Sequence, residues 1–147
     1  MDSRETLEIS FPGLKQAPWD VKSPATIRYN CIGWALNDDQ NWWWPHPDAY
    51  WPKDAPFTET IEAFLATFTA PIFGYEQCNT ADIEFGYHKI ALYADSMGKP
   101  THAARQLQSG KWTSKLGKNV DIEHSLRALE GTAYGNVAVI LKRRVPG

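Results

Sequence analysis

Residues 87–115 read YHKIALYADSMGKPTHAARQLQSGKWTSK, and this stretch decides the fold. Three runs in it, 87–94, 101–107 and 111–115, read as strands, the first of them especially rich in β-forming residues. The runs are separated by two turn signals, DSMGKP and SG. Because turns this short join antiparallel strands, the stretch predicts a three-stranded antiparallel meander.

The flanking segments add helices and one more strand. Residues 137–142 (VAVILK) predict a buried fourth strand, and residues 121–130 predict a helix that Asp121 caps. A helix over 58–69, capped by Thr58 or Thr60, shows the clearest apolar periodicity. The resulting α+β architecture has a sheet of about four strands.

A shorter helix is predicted to begin close to Cys31 and to end near residues 37–39, with Ser23 or Asn30 as its cap. Prolines shape the segments on either side of it. Residues 1–26 are predicted to form an extended N-terminal arm, because a proline removes a hydrogen-bond donor and fixes its own φ. Residues 41–57 hold four prolines and four tryptophans, which predict an ordered loop held by its aromatic rings.

Composition excludes several classes of protein. The 147 residues are 43% hydrophobic and 13% aromatic, with a net charge of −2, which predicts a single globular domain over residues 1–147. The weak charge argues against a nucleic-acid partner. No apolar run is long enough for a membrane span, and the N-terminus lacks a signal-peptide pattern. We therefore expect a cytoplasmic protein with two free thiols, non-classical export remaining open.

Cys31 and His102 are the candidate nucleophile and base. A thiol at a helix N-terminus has its thiolate favoured by the helix dipole, so Cys31 is expected to be reactive at neutral pH. His102 follows a turn at the start of the predicted middle strand, where its side chain can project into a cleft. A cysteine at a helix start that faces a histidine at a strand start is the arrangement of papain-like hydrolases.

Two segments carry a resemblance to that superfamily. Residues 29–35 (YNCIGWA) resemble the nucleophile helix of papain-like amidases and peptidases, including the NlpC/P60 branch. Residues 101–104 (THAA) with 112–117 (WTSKLG) resemble the histidine-bearing hairpin of the same enzymes. Nearly the whole chain also resembles a small, largely uncharacterised bacterial domain family. The resemblance implies a papain-like fold, with the nucleophile helix packed on a small antiparallel sheet and two further helices.

The resemblance also implies the catalytic roles. Cys31 would be the nucleophile, His102 the general base, and a polar group from the following strand would hold the imidazole. This third group is Ser114, or Asp121 just beyond it. The backbone N–H of Cys31 would stabilise the oxyanion, a role in which Tyr29 or Asn30 would assist, although Asn30 fits equally well as the helix cap alone. Ser114 would not lie directly opposite His102 and its side chain could face away, so the third group stays open.

Further residues are candidates for substrate contact. The tryptophan loop follows the Cys31 helix, so it could form a lid over the cleft, chiefly through Trp43 and Trp44. Packing is the commoner use of such rings, with one or two of them still lining a groove. Trp34 belongs to the same motif as Cys31. Lys115 either helps to form one wall of the cleft or is a solvated lysine at a strand end.

Two functions fit these residues. The first is a thiol-dependent hydrolase or acyl transferase (a peptidase, amidase or deamidase) that acts on a peptide-like or amide-containing substrate. The second is a catalytically inactive papain-like module that uses the tryptophan loop to bind a protein partner. We expect no cofactor and no metal, because the weak pattern of Asp121, His124 and His102 matches no zinc spacing.

Overall fold

The centre of the molecule is a seven-stranded antiparallel sheet, seen in a computed structural model that describes residues 3–145. Its strands lie in the order β1-β6-β5-β4-β3-β7-β2. The bounds of the strands are β1 Asp20–Ser23, β2 Glu76–Cys78, β3 Tyr87–Ala94, β4 Pro100–Gln106, β5 Trp112–Lys115, β6 Asp121–His124 and β7 Asn136–Arg144. Three α-helices accompany the sheet, and they are α1 Ser3–Ser10, α2 Cys31–Ala35 and α3 Ile61–Phe68.

The meander predicted from residues 87–115 is confirmed as strands β3, β4 and β5. Strand β3 lies inside the sheet and pairs with β4 on one side and β7 on the other. Its side chains alternate: Ala91 and Tyr93 belong to the core on one face, and Ile90 and Leu92 to the core on the other. Because both faces are covered, the strand reads as a nearly continuous apolar run.

Helices cover the two faces of the sheet differently. One face carries α2, α3 and the tryptophan loop, which share a core containing Ile32, Phe64 and Leu92. The opposite face carries α1 and two 3₁₀-helices, at Pro12–Gln16 and Leu126–Leu129. The predicted caps of the two helices on the first face are confirmed for Asn30 and Thr60. Each side chain accepts a hydrogen bond from the backbone N–H of the third residue of its helix.

The helix predicted over residues 121–130 is wrong. Residues 121–124 instead form β6, which pairs with β5 on one side and β1 on the other. Only Leu126–Leu129 turn, as a short 3₁₀-helix. The spacing of Ile122, Leu126 and Leu129 favours a helix, but Gly117, with a φ of 59°, makes a turn that returns the chain beside β5, and the pairing with β5 makes residues 121–124 a strand.

The extended arm predicted over residues 1–26 is also wrong for most of its length. Residues 3–10 form α1, residues 12–16 form the first 3₁₀-helix and residues 20–23 form the edge strand β1, while Met1 and Asp2 lie outside the described residues. Pro12 stands at the start of its 3₁₀-helix, where a missing N–H costs nothing. The sheet consequently has seven strands where four were expected.

The tryptophan loop is ordered by packing, as its sequence predicts. The Trp43 ring contacts the rings of Tyr50, Trp51 and Phe73. Trp43 is 5% exposed and belongs to the core beneath α2. Backbone hydrogen bonds between Trp42, Trp44 and Tyr50 close the loop upon itself.

Candidate functional site

Asn30 fixes the start of helix α2 and joins it to the tryptophan loop. Its side-chain oxygen accepts from the N–H of Gly33 at 3.2 Å and from the N–H of Trp43 at 3.0 Å. Its side-chain nitrogen donates to the carbonyl of Trp43 at 2.7 Å. Asn30 is therefore a helix cap and a loop anchor that three hydrogen bonds hold in place.

Cys31, the first residue of α2, is 7% exposed. The backbone N–H groups of Cys31, Ile32 and Ala103 favour its thiolate. Burial disfavours the charge more strongly and raises the pKa of the thiol to about 11. The expected lowering of this pKa by the helix N-terminus is therefore wrong, and the resting thiol is neutral at pH 7.

Strands β4 and β5 pair only near the turn that joins them. This leaves the N–H of Ala103, farther from that turn along β4, free to reach the Cys31 thiol. In the described part of the chain their register comprises Arg105 with Thr113 and Gln106 with Trp112. Nearer the start of β4, the strand keeps its partner β3 on one side, and α2 packs against both separated strands. The sulfur therefore contacts Ala103, which shares the α2 face of the sheet with Cys31, whereas the His102 side chain packs against Tyr93 on the other face.

His102 is fully buried and belongs to a chain of hydrogen bonds that crosses two strands. Its Nε2 lies 2.9 Å from the hydroxyl of Ser114, and that hydroxyl lies 2.7 Å from Nε2 of His124. Nδ1 of His124 lies 2.7 Å from the carbonyl of Ser125. Ser114 thus faces His102, although the strand register left this open in the sequence.

The direction of every bond in this chain follows from the last one. A carbonyl can only accept, so His124 Nδ1 carries a proton and its Nε2 is an acceptor. The Ser114 hydroxyl must then donate to His124, and His102 Nε2 must donate to Ser114. In neutral His102 the remaining nitrogen, Nδ1, is therefore a free base.

The imidazole of His102 stays neutral in the fold. Burial holds its pKa well below the ordinary value and lowers the pKa of His124 to about 4. Nδ1 of His102 is buried and has no hydrogen-bond partner among residues 3–145. It consequently forms no hydrogen bond to Cys31 in this conformation.

The rings of Tyr134 and Tyr93 both contact the imidazole ring of His102. The Tyr134 ring stacks on that of His102 at a centroid distance of 4.0 Å and an angle of 6°, and the Tyr93 ring approaches edge-on at 5.1 Å. Thr101 donates its hydroxyl proton to the carbonyl of Tyr134. Sequence reasoning missed Tyr134, because it lies in a loop far along the chain and carries no motif.

A cavity of about 300 Å³ lies beside the Cys31 thiol. Besides Cys31 it is lined by Asn30, Trp42, Trp44, Thr101, Gly117 and Tyr134. The tryptophan loop thus contributes Trp42 and Trp44 to the lining, while a role of Trp44 in substrate contact stays a prediction.

Tyr29, Lys115 and Asp121 form a second buried polar group. The Tyr29 hydroxyl donates to Asp121 at 3.0 Å, and burial together with this bond raises the pKa of Tyr29 to about 12. Lys115 donates to the carbonyls of Thr26 and Gly117. The solvated-lysine interpretation of Lys115 is wrong, since its side chain is fully buried.

Several predicted site residues therefore have structural contacts elsewhere. Asp121 forms no hydrogen bond with His102 among the described residues, and Tyr29 accounts for one of its oxygens. Trp34 donates its indole N–H to Thr113 and stacks on Tyr29, outside the cavity beside Cys31. Trp43 packs in the core and is not among the residues that line that cavity.

Metal ligation has no visible basis in the part of the chain that the structure describes. No group of three or more histidine, cysteine, aspartate or glutamate side chains is placed there to hold an ion. Likewise, none of the described helices is long and apolar enough to cross a membrane.

The fold and site define an α+β domain with a helix-start cysteine beside a strand that carries a buried histidine. Residues 20–142 match a family model described as a domain of unknown function, DUF7689, and the chain belongs to that family. No curated protein and no solved structure matches the chain.

Proposed function

We propose that this protein is a papain-like thiol hydrolase or acyl transferase that cleaves an amide, ester or thioester. Cys31 is the nucleophile and His102 the general base. Ser114 and His124 orient the base. The observation that supports the proposal is the buried, unpartnered Nδ1 of His102, whose ring stacks on Tyr134, a residue that also lines the cavity beside Cys31.

The chemistry begins from a neutral pair. As the sulfur attacks the carbonyl carbon, its proton moves to His102 Nδ1, and the carbonyl π-electrons move to oxygen. The imidazolium then gives this proton to the leaving nitrogen, oxygen or sulfur as its bond to carbon breaks. Water or another acceptor attacks the acyl-enzyme thioester, gives a proton to His102, and releases Cys31 as the thiol.

The surroundings of Cys31 suit the charge that forms in the transition state. Three backbone N–H groups favour its thiolate, among them those of Cys31 and Ile32 at the start of α2. The N–H of Cys31 is the oxyanion donor of the proposal, and Asn30, which lines the same cavity, has a second side-chain N–H that can assist it. Burial makes these dipoles more effective than they would be in water.

A binding module without turnover is the second candidate. Its support is the pKa of about 11 at Cys31, which leaves the thiol uncharged, together with the aromatic cavity. This function predicts that Cys31→Ala retains ligand binding and that His102 has no effect on the reactivity of the thiol.

The pH dependence of thiol alkylation separates the two functions. We would measure 2-chloroacetamide modification of Cys31 and Cys78 by mass spectrometry, with Cys78 as the internal reference. A thiol with pKa near 11 is only about 0.01% ionised at pH 7, so an unassisted Cys31 reacts very slowly. With His102 as base, His102→Ala should slow Cys31 by at least about a hundredfold and leave Cys78 unchanged.

His124→Leu makes the test specific for the hydrogen-bond chain. Without the His124 acceptor, the Ser114 hydroxyl can donate to His102 Nε2 instead, and the proton of His102 then moves to Nδ1. This variant should therefore slow Cys31 although His102 is still present. His46→Ala is the matched control, since His46 is exposed on the tryptophan loop. Equal Cys31 rates in the wild type, His102→Ala and His124→Leu would contradict the proposal.

A further inference from the structure

The cavity beside Cys31 has a definite chemical character. None of its seven lining residues is acidic or basic, and three of them, Trp42, Trp44 and Tyr134, are aromatic. Its volume of about 300 Å³ corresponds to roughly ten water molecules of liquid. Lys115 lies nearby, but its ammonium donates to two backbone carbonyls. Lys115 favours a negative charge at Cys31 but does not line the cavity, so a charged ligand group would enter it without a direct ion-pair partner, which is costly.

Trp42 differs from its neighbours in the use of its indole N–H. The indoles of Trp34, Trp43, Trp44 and Trp51 donate to Thr113, Asp38, Glu59 and the carbonyl of Pro56, respectively. The indole of Trp42, which is partly exposed, has no such partner in the described part of the chain. Because Trp42 and Cys31 line the same cavity, this donor is available to a ligand there.

We infer that this cavity binds an uncharged carbonyl-containing group with an aromatic or planar apolar substituent, and that the Trp42 N–H donates to an oxygen of that group. The inference rests on the proposed function and specifies its substrate class. Aromatic side chains favour flat apolar groups through offset or edge-to-face contacts. The absence of charged lining residues selects against substrates with a carboxylate or an ammonium at this position.

Three chloroacetamides that carry the same reactive group and differ only in the charge of their benzyl substituent test the inference. They are N-benzyl-2-chloroacetamide and its 4-carboxybenzyl and 4-aminomethylbenzyl analogues. In each reaction the Cys31 sulfur forms a bond to the methylene carbon, the carbon–chlorine bond breaks, chloride leaves, and the thiol proton passes to His102. The ratio of the Cys31 rate to the Cys78 rate removes differences in intrinsic reactivity. We expect this ratio to be about tenfold higher for the benzyl reagent than for either charged analogue.

Trp42→Phe tests the free donor while keeping an aromatic ring. It should lower the Cys31 rate with the benzyl reagent about fivefold, which is the effect of one neutral hydrogen bond. Trp34→Phe is the matched control, because Trp34 lies outside this cavity and its N–H already donates to Thr113, so the rate should change less than twofold. Cys78 rates and melting temperatures confirm that each variant remains folded.

Two results would overturn the inference: equal Cys31-to-Cys78 ratios for the three reagents, or equal effects of the Trp42 and Trp34 variants. Failure of the proposed function has a different signature. In that case His102→Ala leaves the rate with the small 2-chloroacetamide unchanged, whatever the benzyl reagents show. If the Cys31 rate depends on His102 but shows no preference for the benzyl reagent, the proposed hydrolase function stands and this substrate class is rejected.

Discussion

Replacing Asn30 by alanine tests how the nucleophile helix is held. The substitution removes a helix cap, which is worth about 1 kcal/mol. It also leaves the N–H and the carbonyl of Trp43 without partners in the core, at about 1–3 kcal/mol for each group. We therefore expect the free energy of unfolding to fall by about 4 kcal/mol and the melting temperature by roughly 10 °C.

The assay is equilibrium urea unfolding, followed by tryptophan fluorescence and far-ultraviolet circular dichroism. Asn30→Ser should lose about half as much stability, because a serine oxygen can still cap Gly33 but cannot reach Trp43. Asn41→Ala is the matched control, since Asn41 is exposed and its side chain contacts only Asp38. If Asn30→Ala costs no more than Asn41→Ala, the account of Asn30 as the joint between helix and loop is refuted.

Three further predictions concern stability. His124 has a folded pKa of about 4 against an ordinary value of 6.5, so its contribution to stability is full above pH 6.5 and should fall by about 3 kcal/mol towards pH 4. Burial also lowers the pKa of His102, so His124→Gln should reduce the decline without abolishing it in urea titrations at several pH values. Gly135→Ala should prevent stable folding or cost more than about 3 kcal/mol, because its Cβ would lie 1.9 Å from a backbone oxygen. Gly110→Ala is the control: it has open space around it and should cost only about 1–2 kcal/mol for its positive φ. Thermal melting of the two variants would measure the difference. Tyr29→Phe should lower the free energy of unfolding by about 1–3 kcal/mol, because it leaves Asp121 without its hydrogen bond. The rate of Cys31 alkylation should change less than twofold. A large loss of reactivity would show that Tyr29 takes part in the reaction.

Local sequence patterns were sufficient for the parts of the site that depend on neighbouring residues. Strand β3 matches its predicted span because its apolar run and its turn lie within the strand's own segment. The start of α2 at Cys31 was predictable for the same reason, since a helix cap acts over three residues. The packing of the tryptophan loop followed from its prolines and its rings.

Contacts between distant segments decided the rest. Residues 121–124 pair with β5, which only the turn at Gly117 brings beside them, so a pattern that also suits a helix became a strand. That pairing places His124 within reach of Ser114, and thereby fixes which nitrogen of His102 is free.

The sequence by itself determined the residue types that carry the chemistry and the local elements that hold them, because propensity, capping and periodicity act over a few residues. Only the tertiary structure decided the charge state of Cys31. Its position at a helix start predicts a lowered pKa, but the surrounding core removes water from the sulfur, and this desolvation outweighs the backbone N–H groups that face it. Burial is a property of the whole packed molecule, so a local pattern could not reveal it.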